Sequence, residues 1–307
     1  MNKHFDRKRR QLLKIIGGTG LAATTPLLIA SQKSSEVITK PIPVSGERLP
    51  IIGLGTSRVF NVGKDAAELG KLHEVVRIMA SVENSMLDTS PMYGEAERVA
   101  GDLVEDLGLR KQLFFATKVW TDGKQAGIEQ MQESLRLMQT QTIDLMQIHN
   151  LVDWKTHIST LRDWKERGII RYLGITHYNE SAHEAVIQVM KQTPLDFLQI
   201  NYSLAEPEAE NRVLPLAREK GIAVIANRPF ARGGLFRATR GQSLPDWAEE
   251  IECKTWAQFF LKFVVSHPAI TCAIPATSKP KHMLDNQLAG KGSLPDSRMR
   301  ERMRKFI

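Results

Sequence analysis

The sequence predicts an α/β fold, a (β/α)8 TIM barrel, and three observations lead to that expectation. Short apolar runs alternate with longer amphipathic stretches from Leu49 to the C-terminus. The runs are mostly apolar on both faces, as parallel strands buried between helices are. Their ends recur every 25 to 33 residues, with one interval of 50. Eight such units over roughly 250 residues match this barrel.

The elements follow one another in a regular order. Apolar runs that predict strands cover residues 85–87, 113–117, 143–148, 172–175, 197–200, 223–226 and 270–274. Stretches with helical spacing of apolar residues cover 65–80, 95–107, 127–138, 157–167, 181–191, 208–220 and 256–266. The eight strand ends are Gly55, Asp88, Lys118, His149, Thr176, Asn201, Asn227 and Thr277. The long interval predicts an inserted loop over 228–254 after the seventh strand.

A doubly wound sheet is the competing architecture. It predicts a phosphate-binding G-x-G-x-x-G segment directly after a strand. The pair Gly53 and Gly55 lacks the third glycine, and the glycines at 17–20 precede the first strand. The barrel is therefore favoured.

Composition excludes several classes of protein. Of the 307 residues, 42% are hydrophobic and 25% charged, which excludes disordered, collagen-like and coiled-coil chains. Cys253 and Cys272 are too few for a disulfide framework or a cysteine zinc cluster, and we expect no metal site. The net charge of +8 raises nucleic acid or a membrane surface as a partner.

The charge is concentrated at the N-terminus. Residues 1–30 hold six basic residues and one acid, which leaves +3 for the other 277. The uncharged run 15–30 is shorter than the about 20 residues of a membrane span. The segment is typical of a signal peptide, and residues 8–14, KRRQLLK, resemble a twin-arginine motif. The alternative, the basic start of an ordinary helix, is disfavoured by Gly17, Gly18 and Gly20.

This interpretation divides the chain into three parts. They are a twin-arginine-type signal peptide over 1–30 with cleavage after Ala30, a polar linker over 31–48 and the barrel over 49–307. It predicts a periplasmic protein that uses the twin-arginine export machinery and has no stable membrane span once mature. The mildly basic barrel suits a small anionic cofactor and no nucleic acid.

Polar side chains end three consecutive strands of the predicted barrel. Asp88 ends the second, Lys118 the third and His149 the fourth, and Tyr93 follows Asp88 by five residues. Barrel enzymes work at the carboxyl ends of the strands, so we expect these side chains around one rim. Each residue alone fits a solvated charge or a structural role, but their joint occurrence favours a site.

The set has a specific chemistry. A free phenol has a pKa of about 10, and a nearby ammonium lowers it. Lys118 is long enough to reach Tyr93, Asp88 would keep Lys118 charged, and neutral His149 can donate a hydrogen bond to a carbonyl oxygen. Together they suit carbonyl reduction by hydride with Tyr93 as general acid, or alcohol oxidation in reverse.

Four motifs carry a resemblance to a known family. Residues 88–94 (DTSPMYG), 117–118 (TK), 147–149 (QIH) and 199–203 (QINYS) resemble the aldo/keto reductase family, in the same order, from about Leu49 to the C-terminus. The resemblance implies a barrel that binds NADP(H) in extended form. It also implies a catalytic tetrad of Asp, Tyr, Lys and His, and all four positions match.

The resemblance also implies cofactor-binding residues. Tyr202 would stack on the nicotinamide ring and Gln199 would bind its carboxamide, while Thr176 and His177 replace the family's usual Ser-Asn pair. The loop over the pyrophosphate would contain Arg232, Gly233 and Leu235, although such segments are also common as plain flexible loops. The adenosine end would contain Thr277, Lys279, His282 and Asn286.

Further residues bear on the choice of cofactor, on the substrate pocket and on the C-terminal helix. His282 stands where the family often has an arginine at the adenosine 2′-phosphate, so NAD(H) is the alternative to NADP(H). Trp120, Asn150 and Trp154 follow the third and fourth strands and are candidate walls of a pocket for a small carbonyl or alcohol substrate. Arg298, Arg300, Arg302 and Arg304 predict a solvated helix face.

An export signal and a nicotinamide cofactor leave three alternatives open. The enzyme retains NADP(H) while two substrates recycle it, it uses another electron source, or the barrel binds a cofactor or small ligand without turnover. The intact tetrad favours an enzyme.

Overall fold

The computed structural model of the protein describes residues 36–307. The predicted signal peptide over 1–30, and residues 31–35 of the predicted linker, lie outside the described residues. No helix within residues 36–307 is long and apolar enough to cross a membrane.

Eight parallel strands form the centre of the fold. A hairpin of β1 (Thr39–Pro41) and β2 (Arg48–Pro50) precedes them. The parallel strands are β3 (Leu54–Gly55), β4 (Ser85–Asp88), β5 (Leu113–Val119), β6 (Ile143–His149), β7 (Ile170–Thr176), β8 (Phe197–Asn201), β9 (Ala223–Asn227) and β10 (Ile270–Ala273). They pair in chain order from β3 to β10. Bridges from Ile52 to Ala273 and from Gly55 to Ala276 join the first strand to the last and close the predicted barrel.

Helices surround the barrel. They are α1 (Ala66–Ala80), α2 (Ala96–Asp106), α3 (Lys124–Leu137), α4 (Trp154–Glu166), α5 (His183–Gln192), α6 (Val213–Glu219), α7 (Gly234–Ala238), α8 (Trp256–Ser266), α9 (Pro280–Leu288) and α10 (Ser297–Phe306). Asp65 starts the first of them by accepting hydrogen bonds from the backbone N–H groups of Ala67 and Glu68. The prediction of one loop over 228–254 is wrong in part, because α7 and a 3₁₀ helix over Asp246–Ile251 lie inside it.

The hairpin seals the amino-terminal end of the barrel. Ile42 and Leu49 are fully buried in the cluster that fills the barrel interior. The Lys40 ammonium donates to the backbone oxygens of Val265 at 2.7 Å, His267 at 2.9 Å and Ile270 at 2.7 Å. The prediction of a linker over 31–48 is therefore wrong in part, because Thr39–Pro41 and Arg48 pair in the hairpin and Ile42 is buried.

The C-terminal helix α10 is not a solvated arginine face throughout. Arg300 is 9% exposed, and its guanidinium donates to the Phe263 carbonyl and to Ser266 Oγ at 2.9 Å. It also forms an ion pair with Glu210 at 2.6 Å. The prediction is wrong for Arg300 because the side chain binds α8 and the segment after β8 together.

Candidate active site

Three neighbouring strands bring the predicted polar residues to one rim. Asp88 is the last residue of β4, Lys118 the sixth of β5 and His149 the last of β6. The parallel register sets Asp88 beside Ala116 and Lys118 beside Gln147. The carboxyl ends of parallel strands share one face of a barrel, so the three side chains meet there.

Lys118 and Asp88 form a buried ion pair. Lys118 Nζ lies 2.8 Å from Asp88 Oδ2 and donates to the Thr89 carbonyl at 2.6 Å, and the lysine is 0% exposed. Burial acts to lower the pKa of Lys118, but the negative charges of Asp88 and of an ionised Tyr93 outweigh it and raise the pKa. The lysine is therefore charged at neutral pH.

Two amides hold the other oxygen of the same carboxylate. Asp88 Oδ1 accepts from Gln199 Nε2 at 2.8 Å and from Gln147 Nε2 at 3.2 Å. Gln147 points to the same side of β6 as His149, two residues on, because side chains alternate along a strand. This alternation is the sequence signal that could have identified Gln147.

Tyr93 stands beside the lysine on a short turn. A 3₁₀ turn over Pro91–Tyr93 follows β4, and Lys118 Nζ lies 5.3 Å from the centre of the Tyr93 ring. The pKa of Tyr93 is raised because burial outweighs the opposing effect of the Lys118 charge. The prediction of a lowered pKa is wrong for the protein without ligand, since the phenol is more buried than the strand pattern indicated.

His149 is a neutral ring at the centre of the rim. Burial, followed by the charges of Lys118 and His177, lowers the pKa of His149 to about 3. The Tyr93 ring meets it edge-on, with ring centres 5.9 Å apart. Its Nδ1 lies 3.0 Å from Ser90 Oγ. The ring can therefore donate one hydrogen bond without carrying a charge.

A buried acid supports β5 from the other side. Glu97, on α2, accepts a hydrogen bond from Thr117 Oγ1 at 2.5 Å, next to Lys118 in the chain. Burial raises the pKa of Glu97 above its usual range. No motif in the sequence distinguished this glutamate from the exposed acids of the same helix.

The three candidate pocket residues have different positions. Trp120 is 41% exposed, and its ring lies beside the rim, 6.5 Å from the His149 ring, centre to centre. Asn150 follows His149 with a φ of 55°, in the left-handed region. Trp154 begins α4 and packs against the main hydrophobic core.

The residues after β7 form an aromatic and cationic cluster. Thr176 is buried at the end of the strand, and the His177 ring stacks on Tyr178 with centres 5.5 Å apart. Arg228 lies over the same Tyr178 ring at 4.1 Å and Arg232 at 5.9 Å. The cluster joins the ends of β7 and β9, and neither Tyr178 nor Arg228 was predicted from the sequence.

Tyr202 does not lie at the rim, and its predicted stacking on a nicotinamide ring is wrong. The side chain is 0% exposed, and its ring stacks on Phe263 of α8 at 6.1 Å. Its hydroxyl donates to Glu210 and accepts from Arg300. Because these partners occupy both the ring and the hydroxyl, Tyr202 ties β8 to the helices outside the barrel.

The loop after β9 adopts left-handed backbone conformations at several of its residues. Gly233 adopts a φ of 82°, and Arg232 itself adopts 53°. Leu235 is buried and anchors the first turn of α7. Arg232 is exposed, as a side chain that meets an anion from solvent must be.

The remaining predicted residues surround the start of α9. Thr277 Oγ1 accepts from the backbone N–H of Lys279 at 3.0 Å, and Lys279 is the residue before the helix. His282 is exposed in the first turn, and partial burial and the charges of Lys279 and Lys281 lower its pKa. Asn286 is buried one turn later. At neutral pH, His282 adds no positive charge.

Several buried polar atoms at the rim have no partner within residues 36–307. They are Thr56 Oγ1, Thr89 Oγ1, Asn150 Oδ1 and Asn227 Oδ1. Each residue lies at or just after the carboxyl end of a strand. Unsatisfied buried groups are costly, so their concentration here fits a polar ligand that supplies the missing partners.

Comparison with known proteins agrees with this geometry. A family model described as the aldo/keto reductase family matches residues 51–305. Methylglyoxal reductase YeaE of Escherichia coli is 27% identical over 257 residues, covering 80% of this chain and 88% of the relative. Aldo-keto reductase YhdN of Bacillus subtilis is 27% identical over 197 residues, 59% of each chain. An aldo/keto reductase from Klebsiella pneumoniae, solved with NADP and acetate, has a TM-score of 0.71 at 25% identity, covering 85% of this chain and 92% of that one.

Proposed function

Because this chain belongs to the aldo/keto reductase family of oxidoreductases, we propose that it transfers a hydride between NADP(H) and a small aldehyde or ketone, or the corresponding alcohol. The observation that carries the proposal is the meeting of Asp88, Tyr93, Lys118 and His149 at one rim of the barrel. The phenol beside a buried charged lysine can donate a proton, and the neutral histidine next to it can donate a hydrogen bond.

The residues at the rim fit a nicotinamide cofactor. The unpartnered oxygens of Thr56 and Asn227 can accept hydrogen bonds from its amide and hydroxyl groups. Arg232 and Lys279 are exposed cations that suit its phosphates. When bound, NADPH supplies the hydride. The NADP in the Klebsiella pneumoniae relative supports NADP(H), with NAD(H) as the alternative because His282 stands where the family often has an arginine.

Tyr93 acts as the general acid. Reduction of a carbonyl would place negative charge on its oxygen, and Tyr93 would give that oxygen its phenolic proton. The charge of Lys118 stabilises the phenolate that remains, and Asp88 holds that lysine in place at 2.8 Å. Neutral His149 donates to the same substrate oxygen and orients it. Trp120 limits the pocket on one side.

The activity is tested with purified protein lacking residues 1–30, the predicted signal peptide. We expect it to consume NADPH with methylglyoxal, the substrate named for the Escherichia coli relative. Tyr93→Phe should lower kcat by about 10²- to 10⁴-fold, the usual contribution of a general acid, while leaving cofactor binding unchanged. Tight NADPH binding with no turnover of any carbonyl would instead favour a binding module.

We also propose that residues 1–30 direct export to the periplasm through the twin-arginine machinery. The support is the sequence KRRQLLK at residues 8–14 and the uncharged run that follows. Changing Arg9 and Arg10 to lysine should leave the protein in the cytoplasm, measured by cell fractionation. Unchanged export of that variant would refute the proposal.

A further inference from the structure

Ser90 connects two parts of the proposed catalytic group. It is 0% exposed and lies between the end of β4 and the turn that carries Tyr93. Its Oγ accepts a hydrogen bond from the Met92 backbone N–H at 3.3 Å, which caps that turn. The same Oγ lies 3.0 Å from Nδ1 of His149, which ends β6 on the same rim of the barrel.

The position of the proton between Ser90 Oγ and His149 Nδ1 follows from the hydrogen-bond partners that Ser90 has. Within residues 36–307, these two groups are the partners of Ser90 Oγ. If His149 Nδ1 carried the proton, the buried Ser90 hydroxyl would have no acceptor for its own. A buried donor without an acceptor costs free energy, so the arrangement with Ser90 as donor is favoured.

Donation by Ser90 leaves the other ring nitrogen as the donor. A neutral imidazole carries one proton, and with Nδ1 as acceptor that proton is on Nε2. The edge of Tyr93 and the ring of Trp120 lie against the histidine at 5.9 and 6.5 Å between centres and restrict the ring plane. Ser90 selects which nitrogen donates, and the two aromatic rings select where the imidazole lies.

We propose that Ser90 is a positioning residue for carbonyl reduction: its hydroxyl holds His149 in the Nε2–H tautomer and thereby provides the N–H that meets the substrate oxygen. This rests on the proposed function, because only a substrate that gains negative charge on oxygen needs that donor. The same hydroxyl caps the Tyr93 turn, so one side chain sets both the proton donor and the hydrogen-bond donor.

The tautomer is measured directly, without substrate. Protein labelled with ¹⁵N-histidine gives distinct ring nitrogen shifts for the two neutral tautomers, and the His149 signals are assigned by their loss in His149→Gln. We expect the Nε2–H tautomer in the protein at neutral pH. A predominantly Nδ1–H ring would overturn the proposal, even if the enzyme reduces carbonyls.

The variant Ser90→Ala tests the functional consequence. We expect a mixture of tautomers and a kcat for methylglyoxal reduction lower by roughly 10-fold, less than the loss of a whole donor group, with the Kd for NADPH unchanged. Thr160→Val is the matched control, because it removes another buried hydroxyl, one that lies on α4 without a partner within residues 36–307. Thr160→Val should change neither the tautomer of His149 nor kcat.

The remaining outcomes separate the two proposals. Ser90→Ala with an unchanged tautomer and unchanged kcat would overturn the role of Ser90 and leave the reductase activity standing. An Nε2–H ring in a protein that binds NADPH but reduces no carbonyl would refute the proposed function and, with it, the catalytic part of this inference. If Ser90→Ala does not fold, the tautomer of the unaltered protein still decides.

Discussion

Two lysines lie towards opposite ends of the barrel, Lys118 fully buried and Lys40 partly buried, and they are held in different ways. At the carboxyl end, Lys118 is paired with the Asp88 carboxylate at 2.8 Å, and its pKa is raised. At the amino end, Lys40 donates to three backbone carbonyls, and its pKa is lowered to about 8, chiefly by burial and then by the charge of Arg300.

The difference separates the lysine of the proposed catalytic group from one whose ammonium is held by backbone carbonyls of the fold. A carboxylate partner stabilises the ammonium form, so Lys118 keeps its charge beside Tyr93. Carbonyl dipoles satisfy the hydrogens of Lys40 without a compensating charge. Removing either lysine should therefore produce a distinct defect, in activity for one and in stability for the other.

The largest expected effect is the loss of activity in Lys118→Met. Without the ammonium, the phenolate left by Tyr93 is unstabilised, and we expect kcat for methylglyoxal reduction to fall by about 10²- to 10⁴-fold. NADPH consumption measures it. The double variant Lys118→Met with Asp88→Asn removes the stranded carboxylate charge, so it should recover stability but not activity. A kcat within a few-fold of the original in Lys118→Met would contradict this role.

Next in size is the loss of stability in Lys40→Met. Three carbonyls at the α8–β10 junction lose their donor, and we expect the free energy of unfolding to fall by about 1–3 kcal/mol. Urea denaturation measures it. The kcat of the folded variant should be unchanged, because Lys40 lies at the end opposite the tetrad. Equal stability of the two proteins would show that the carbonyls find other partners.

The next effect is the pH dependence of the difference in stability between the original protein and Lys40→Met. The pKa of Lys40 is about 8 in the folded protein and 10.5 ordinarily. Between these values the unfolded chain binds more protons, so stability due to Lys40 rises as pH rises through this window. We expect the difference in unfolding free energy between the original protein and Lys40→Met to grow by about 2–3 kcal/mol from pH 7 to 10. A constant or shrinking difference would contradict the lowered pKa.

The smallest expected effect concerns His149, which we expect to leave no trace in the pH profile of activity near neutral pH. Because the pKa of His149 is about 3, the ring stays neutral, and kcat/KM for the aldehyde should show no histidine limb between about pH 5 and 8. Activity should fall only in alkaline solution, where Tyr93, whose pKa is raised, loses its proton. An apparent pKa near 6.5 that disappears in His149→Gln would show that the ring is more exposed than described.

The barrel and the polar residues at the ends of its strands could be predicted from the sequence because both follow from regular spacing. Strand ends recur at regular intervals along the chain, and the polar residues at those ends must lie on one face of the barrel. The predicted ends at Asp88, His149 and Asn227 are the observed ends of their strands.

The errors arise where a strand ends or where distant segments meet. Tyr202 follows β8 by one residue, and no periodicity tells which way such a side chain turns. Its partner Arg300 lies 98 residues further on, in a helix whose sequence reads as solvated. Ser90 was visible in the motif at 88–94, but its contact with His149 joins two strands and depends on three-dimensional register.

The contact of Lys40 with the α8–β10 junction has a consequence for how the protein is made. It joins residues 225 to 230 positions apart, so it cannot form until almost the whole chain has left the ribosome. At typical rates of translation this delay is about 10 to 45 s. During that time the barrel interior that buries Ile42 and Leu49 has not yet formed. Their apolar side chains are then exposed, and proteases or chaperones can recognise them. Docking of the hairpin is therefore a late step, which follows the synthesis of α8 and the start of β10.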